Sequence, residues 1–336
     1  MLTLIFATRN GMTTLRPMLQ RLETIARPDS FRIVAVDNGS TDGSRELLRR
    51  WSERLPIQVL EFSTPGKNRA LNHALEWLGA SLRDQELVVV ADDDILPDHD
   101  WLLNLSRAAR THPECIAFGG SIVPYWTSEP PPWLAGLGPI FPILFATTAD
   151  ARHGRCASTA IYGPNMAIRG QAFARGLRFD PAIGPDGSRR FGMGSESELL
   201  RRLERSGYKL FFCEHAIVQH QIKPTLLELD AIMARGWRYG AGLALMENQV
   251  GGRWRRTARA ALRLAVREAK SVVSRLPHFR ERRISCEFWR QVARGYLGAC
   301  LSSNQLPKNP ARAQPAAEKP ATDVTIGAMP GLLRSR

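Results

Sequence analysis

No CxxC pair occurs in this sequence. Its five cysteines, Cys115, Cys156, Cys213, Cys286 and Cys300, lie far apart and are odd in number. That argues against a disulfide framework or a zinc knuckle, and it fits a reducing compartment. Aromatic residues make up only 8%, and glycine and proline are ordinary, which excludes collagen-like and low-complexity classes. No apolar run approaches the roughly 18 residues that a membrane span needs. The longest candidate, 139–147, contains a second proline. The apolar start at residues 1–7 lacks a basic leader and runs into Thr8, Arg9 and Asn10, so a first strand is expected there, not a signal peptide. A hydrophobic content of 44% suffices for a sizeable core and excludes a wholly disordered chain. The length of 336 residues predicts about two domains, or one large one with an appendage.

The formal net charge of +14 is unevenly placed. Residues 251–300 hold 13 Lys/Arg against 3 Glu, and residues 301–336 hold 5 against 2, which leaves +1 for the first 250. The body is nearly neutral and the basic character belongs to an appendage. Such a local basic surface bears on partners, not on fold. The expected organisation is a main domain over 1–250, a basic helical appendage over 251–304, and a disordered tail over 305–336 that is rich in Pro and Ala.

The first half alternates apolar runs with helical patterns. Strands are expected at 2–7, 31–36, 57–62 and 86–91, the last being the most apolar. Helices are expected between them. In 13–26, Leu15, Met18, Leu19, Leu22 and Ile25 share a face; 44–54 is helical; and in 68–78 Ala70, Leu71, Ala74, Leu75 and Leu78 share a face. This order predicts an α/β fold with a mostly parallel central sheet flanked by helices. Ligands bind such sheets at the carboxyl ends of the strands. Thr8 to Asn10, Asp37, Gly66-Lys67 and Asp92-Asp93-Asp94 all follow those ends.

Further on, a helix is expected at 97–110, a strand at 115–125 and a proline-rich loop at 126–138. Residues 160–169 are strand-like around a glycine turn, 195–206 is helical, 208–213 and 216–220 are short strands, and 226–250 is helical. Two basic helices close the pattern. The first carries Arg255, Arg259, Arg263 and Arg267 at steps of four, and the second aligns Ile284, Phe288, Val292 and Tyr296. Two readings stand for them: contact with an anionic membrane, or packing on the main domain with a solvated arginine face.

Chemistry concentrates at a few points. Three adjacent carboxylates, Asp92 to Asp94, repel one another unless a cation or donors offset them. Such oxygen ligands suit Mg²⁺ or Mn²⁺, which bridge substrate phosphates. In an extended segment Asp92 and Asp94 face one site while Asp93 faces elsewhere. A solvated acidic turn is the plainer alternative, and the position after the most apolar strand weighs against it. Asp37 opens an Asx turn and can also accept hydrogen bonds from a base or ribose. Gly66-Lys67 opens a helix, where free N–H groups and a lysine suit a diphosphate; a plain surface lysine is the alternative. Cys156 and Cys213 read as packed thiols. His73, His99, His112, His153, His215 and His278 show no ligand spacing.

Taken together, several segments resemble the family 2 glycosyltransferases, which have the GT-A fold. They are Ala7 to Asn10, Val36 to Asp42, Gly66 to Asn72, Ala91 to Pro97 with its DXD-type carboxylates, Gly163 to Arg169, Gly194 to Leu200, Arg202 to Lys209 and Val218 to His220. The resemblance covers about residues 2–250. It implies an inverting, metal-dependent transfer from a nucleotide diphosphate-sugar to an acceptor hydroxyl, in polysaccharide, cell-wall or glycoconjugate synthesis. It implies that Thr8, Asn10 and Asp37 hold the nucleoside, that Asp92 lies near the ribose and metal, that Asp93 belongs to the same nucleotide-sugar-binding set, and that Asp94 ligates the divalent metal. His220 would support the metal or the diphosphate. Gly66, Lys67 and Asn72 fall in the diphosphate-side motif, and Gly163 and Asn165 in the loop lining donor sugar and acceptor.

One departure concerns the general base. Where the family places Glu-Asp, this chain has Ser195-Glu196. Glu196 keeps a carboxylate one methylene longer, and a base must lie within roughly 2.6–3.2 Å of the hydroxyl it deprotonates. Glu196 is therefore the expected base, with Glu198 as the fallback. The plainer alternative is that both acids merely favour a helix N-terminus. The loop with Trp126, Trp133 and Pro130 to Pro132 either shapes an acceptor site or is a rigid surface loop.

The implied partners are a nucleotide-sugar donor, a carbohydrate or lipid-linked acceptor, and peripheral contact of 251–300 with anionic membrane at the inner face of a cytoplasmic location. Nucleic acid is not expected, because the basic segment lacks aromatic interleaving. The competing readings are a non-catalytic sugar-nucleotide binder and a nucleotidyltransferase, which would release pyrophosphate.

Overall fold

The computed structural model describes residues 1–148, 151–247, 253–273 and 283–302. Along the chain the elements are β1 (Leu2–Thr8), α1 (Met12–Thr24), β2 (Phe31–Asp37), α2 (Ser44–Trp51), β3 (Ile57–Glu61), α3 (Lys67–Leu78), β4 (Leu87–Val90), β5 (Ile95–Pro97), α4 (Trp101–Thr111), β6 (Cys115–Trp126), α5 (Phe141–Phe145), β7 (Gly154–Cys156), β8 (Met166–Arg169), α6 (Gly170–Ala174), α7 (Ser195–Arg205), β9 (Lys209–Ile222), α8 (Leu229–Glu247), α9 (Arg253–Val273) and α10 (Arg283–Ser302).

One nine-stranded sheet organises the chain, in the order β3-β2-β1-β4-β8-β6-β9-β5, with β7 pairing β9 outside that path. The first four strands in this order are parallel, as the alternating pattern predicts. Beyond β4 the sheet is mixed. β8 runs antiparallel to both β4 and β6, β6 and β9 are parallel, and β5 and β7 are antiparallel to β9. The parallel expectation thus holds for β1 to β4 and again for β6 with β9, and it is interrupted where β8 runs antiparallel between β4 and β6.

Two apolar layers cover the two faces. On one, Leu4, Phe6, Leu15, Met18, Leu19, Trp101 and Leu105 pack together; on the other, Ile5, Val34, Val88, Leu71, Leu75 and Leu199 do. Alternate residues of β1 serve opposite layers, as strand geometry requires. The strands expected at 208–213 and 216–220 are one strand, β9, with a bulge between Cys213 and Ile217. The helix expected from residue 97 starts at Trp101, because Ile95–Pro97 pairs with β9 first.

The C-terminal helices pack on the body. Phe288 and Val292 of α10 join Ile232 of α8 and Leu134, Leu137 and Ile222 in a third apolar cluster. The approach is close: a methyl at Gly240 would fall 1.9 Å from the Val292 carbonyl oxygen, and one at Gly295 would fall 1.9 Å from that of Trp237. Glycine is needed at both positions for that reason. Among the described residues no helix is long and apolar enough to cross a membrane. The tail expected at 305–336 lies outside the described residues.

Candidate active site

Lys67 is delivered to the site by a chain of backbone constraints. The Gly66 N–H donates to Asn38 Oδ1 at 2.9 Å, and Asn38 Nδ2 donates to the carbonyls of Phe62 and Thr64 at 2.7 Å each. Gly66 has φ 145°, a conformation that favours glycine. The Lys67 N–H donates to Pro185 O at 3.0 Å, and Asn68 Nδ2 holds the carbonyls of Asp180 and Ile183. The first turn of α3 is thereby fixed. Its ammonium reaches Asp92 Oδ1 at 2.5 Å and Glu196 Oε1 at 2.7 Å.

Beyond β4 the three aspartates diverge. Asp92 meets Lys67. Asp93 turns back and accepts a hydrogen bond from Thr8 Oγ1. Asp94 faces His220, with Oδ2 3.3 Å from Nε2. The β5–β9 ladder sets this last pairing: Ile95 lies opposite His220, and the Gln221 N–H donates to the Asp94 carbonyl at 2.9 Å. His220 Nδ1 donates to Phe145 O at 2.8 Å, which turns Nε2 toward Asp94. Trp126 and Phe141 pack edge-on around Phe145, so the aromatic loop braces the histidine.

Glu196 sits in the first turn of α7, behind Gly194 at φ 117°. Gly163 makes room for it, since a methyl there would lie 2.5 Å from the Glu196 carboxyl carbon. Burial alone would raise this carboxyl, but the charge and hydrogen bond of Lys67 outweigh burial and hold it below the ordinary range. Burial also opposes the charged form of Lys67, yet Asp92 and Glu196 drive its pKa up. Asp92 is raised by burial and by Asp94 and Glu196, against the pull of Lys67. Asp93 is pushed up to about 7 by burial and then by Asp94. Burial works against ionised Asp94, but His220 holds its pKa down, while Asp94 in turn raises His220 against burial.

The expected residues therefore fall into two neighbouring groups. Lys67, Asp92, Asp94, Gly163, Glu196 and His220 line one cleft of about 370 Å³. Thr8, Asn10, Asp37 and Asp93 gather at the ends of β1 and β2. There Asn10 Oδ1 accepts from the Thr41 N–H at 2.8 Å, and Asp37 accepts from the Ser40 N–H at 3.3 Å and pairs with Arg45 at 3.1 Å. Two residues lie elsewhere. Asn72 exchanges both amide hydrogen bonds with the Phe179 backbone at 2.9 Å. Asn165 is fully buried and holds Ser121 O, Ala216 O and the Trp101 indole N–H. These two amides build the walls and do not face the cleft. Glu198, the alternative base, is buried beside Arg202, 2.8 Å from its Nε.

The cleft also contains residues that the sequence reading missed. Arg235, Arg238 and Tyr239 line it from α8. Arg235 feels the charges of Asp94 and Asp92. Arg238 stacks over Phe191 at 4.9 Å, and its buried Nε has no hydrogen-bond partner. The signal available was two arginines three apart on a helix otherwise rich in glycine and apolar residues. Asp94 Oδ1 is likewise buried and unpartnered. That orphaned oxygen, the second carboxylate oxygen of Asp92 and, once deprotonated, the Nε2 of His220 form an oxygen-rich donor set that fits Mg²⁺ or Mn²⁺. All five cysteines are free, and burial pushes the Cys156 thiol up to about 12, as befits an inert packed side chain.

A model of the family described as Glycosyl transferase family 2 matches residues 3–173, half of the chain, and the chain belongs to that family. It is similar to the glucosyl-dolichyl phosphate glucuronosyltransferase of Haloferax volcanii, with 22% identity over 188 residues, which is 54% of this chain and 57% of that protein. The match thus spans a little over half of that relative's length. It is also 24% identical over 260 residues to the succinoglycan biosynthesis protein ExoA of Rhizobium meliloti, covering 76% of this chain and 72% of that one. Among solved structures it resembles a mannosyltransferase of Pyrobaculum calidifontis in complex with GDP-Man and Mn²⁺. There the TM-score is 0.58 at 18% identity, over 88% of this chain and 86% of that one. This likeness is one of fold, the GT-A fold.

Asn165→Ala tests the structural role of that amide. It leaves two carbonyls and an indole N–H buried without partners and is expected to cost about 3 kcal/mol or more of stability. Denaturant unfolding checks this, and an unchanged midpoint contradicts it.

Proposed function

We propose that the protein is an inverting glycosyltransferase that moves a sugar from a nucleoside diphosphate donor to an acceptor hydroxyl with the help of Mg²⁺ or Mn²⁺. The observation that carries this reading is the convergence of Lys67, Asp92, Asp94, Glu196 and His220 on one cleft. The Haloferax and Rhizobium relatives, by their names a sugar transferase and a polysaccharide biosynthesis protein, favour the same reading.

Asn10 and Asp93 offer the nucleoside polar atoms beside the cleft, while Thr8 and Asp37 are buried beneath them and hold the strand ends in place. Asp94 and His220, with Asp92, would hold the divalent cation. When bound, it neutralises charge on the diphosphate. Lys67, Arg235 and Arg238 supply fixed cations along the same wall, placed to stabilise the charge on the departing nucleoside diphosphate. Glu196, ionised by its contact with Lys67, accepts the proton of the acceptor hydroxyl as that oxygen attacks the anomeric carbon. The new C–O bond forms on the face opposite the departing phosphate oxygen, so configuration inverts, and no enzymic nucleophile is required. Gly163 keeps the space in which donor sugar and base meet.

The acceptor side is read from the appendage. Leu243 lines both the cleft and a second cavity of about 480 Å³ between α8, α9 and α10. That cavity combines Leu262, Val266 and Val292 with Arg263 over Tyr296 and Arg267 over Trp289. Exposed Leu262 and Val266 beside arginines suit an anionic lipid surface. This supports a lipid-linked glycoconjugate acceptor and peripheral membrane contact.

Turnover across a panel of sugar nucleotides with Mn²⁺ or Mg²⁺ tests the central reading. Asp94→Ala is expected to abolish activity. Glu196→Gln is expected to lower turnover at least ~100-fold, the scale of a lost general base, while sparing donor affinity. Release of pyrophosphate, or donor binding without turnover on any acceptor, would sink it. Membrane contact is checked by co-sedimentation with anionic vesicles. Leu262→Glu with Val266→Glu is expected to abolish it, and equal binding by wild type and variant contradicts it.

A further inference from the structure

We propose that His153, Glu214 and His215 form a surface site for a first-row divalent metal of the zinc type, separate from the cleft. Their ligand atoms all lie within 4.8 Å of one another, and all three side chains are exposed. The two histidines are far apart in the sequence, and the sheet brings them together.

The site is built by the bulge in β9. Along the β6–β9 ladder the register passes from Gly120 opposite Cys213 to Ser121 opposite Ile217, so residues 214–216 loop out against a single step of β6. Each carbonyl of the loop is pinned by a side chain at 2.7 Å: Ser121 Oγ donates to Glu214 O, Asn104 Nδ2 to His215 O, and Asn165 Nδ2 to Ala216 O. A bulge re-aims side chains, and this one presents Glu214 and His215 to solvent. On the other edge β7 runs antiparallel to β9, with Gly154 opposite Phe212, which brings His153 alongside. The His153 ring stands edge-on to Phe211 at 5.1 Å and lies 5.5 Å from the His215 ring. His215 Nε2 is 3.5 Å from Glu214 Oε1.

Two imidazoles and one carboxylate are a donor set that zinc accepts, leaving a fourth position open. Zinc bonds of about 2.0–2.1 Å place neighbouring tetrahedral ligands roughly 3.4 Å apart. Exposed side chains close the remaining gap by rotamer changes alone. The pinned backbone means that only side-chain freedom is lost on binding. A cation here staples β7 to β9, the strand that also carries His220.

The test is calorimetric titration of the full chain with ZnCl₂ in an Asp94→Asn background, which weakens any binding in the cleft. One equivalent is expected to bind. His153→Ala and His215→Ala should each weaken it at least ~10-fold without lowering the metal-free unfolding temperature. Co²⁺ in place of Zn²⁺ should give a visible d–d band without the near-ultraviolet charge-transfer band that a thiolate ligand adds. Absence of binding, equal binding by parent and both variants, or a thiolate band overturns the proposal.

Discussion

The contact between Lys67 and the two carboxylates of Asp92 and Glu196 organises this site. Asp92 follows β4 and Glu196 begins α7, so they come from distant parts of the chain. Two carboxylates brought together away from water repel, and one would take up a proton. An ammonium 2.5 Å from one and 2.7 Å from the other lets Glu196 stay ionised. In the proposed mechanism the same ammonium couples the side of the cleft that would hold the cation to the side that would deprotonate the acceptor. Removing it leaves two partly buried carboxylates side by side without a partner, which costs more than an exposed ion pair contributes. The backbone bonds of Gly66, Asn38 and Pro185 therefore matter to both sides at once.

A second constraint comes from α8. Its glycines let α10 approach to backbone contact, and Gly242 does the same toward Met193, whose carbonyl oxygen lies 1.7 Å from where a methyl would be. The Met193 N–H in turn donates to Arg238 O at 2.9 Å. The helix is held from two sides, and its remaining face presents Arg235, Arg238 and Tyr239 to the cleft. The basic C-terminal helices are thus structurally continuous with the wall that faces the donor phosphates in the proposed mechanism.

The alternation of strands and helices was legible wherever burial dictated the pattern. β1 to β4 are apolar runs between amphipathic helices, and their parallel pairing follows. The reversal at β8 and the bulge in β9 were not legible, because both depend on which strand a segment meets, and local pattern does not encode that. At the site, Asp92 and Asp94 stood out because adjacent carboxylates after a buried strand repel unless something offsets them, while Lys67 and Glu196 stood out through the motifs they share with the family. Asn72 and Asn165 carried the same residue type and motif context as ligands, and only the fold separates a wall-building amide from a binding one. Arg235 and Arg238 were hidden in a segment read only as helix, because nothing in its local pattern marks which face meets the cleft. His153 and His215 were hidden by sequence distance.

Lys67 is the shared counter-ion of Asp92 and Glu196. A double-mutant cycle on unfolding free energy, with Lys67→Met and Glu196→Gln, tests it most directly. Lys67→Met alone should be strongly destabilising. Adding Glu196→Gln to it should recover part of the stability, because a partly buried unpaired carboxylate beside Asp92 is removed, giving a coupling of about 1 kcal/mol or more. Strict additivity of the two substitutions would contradict the claim.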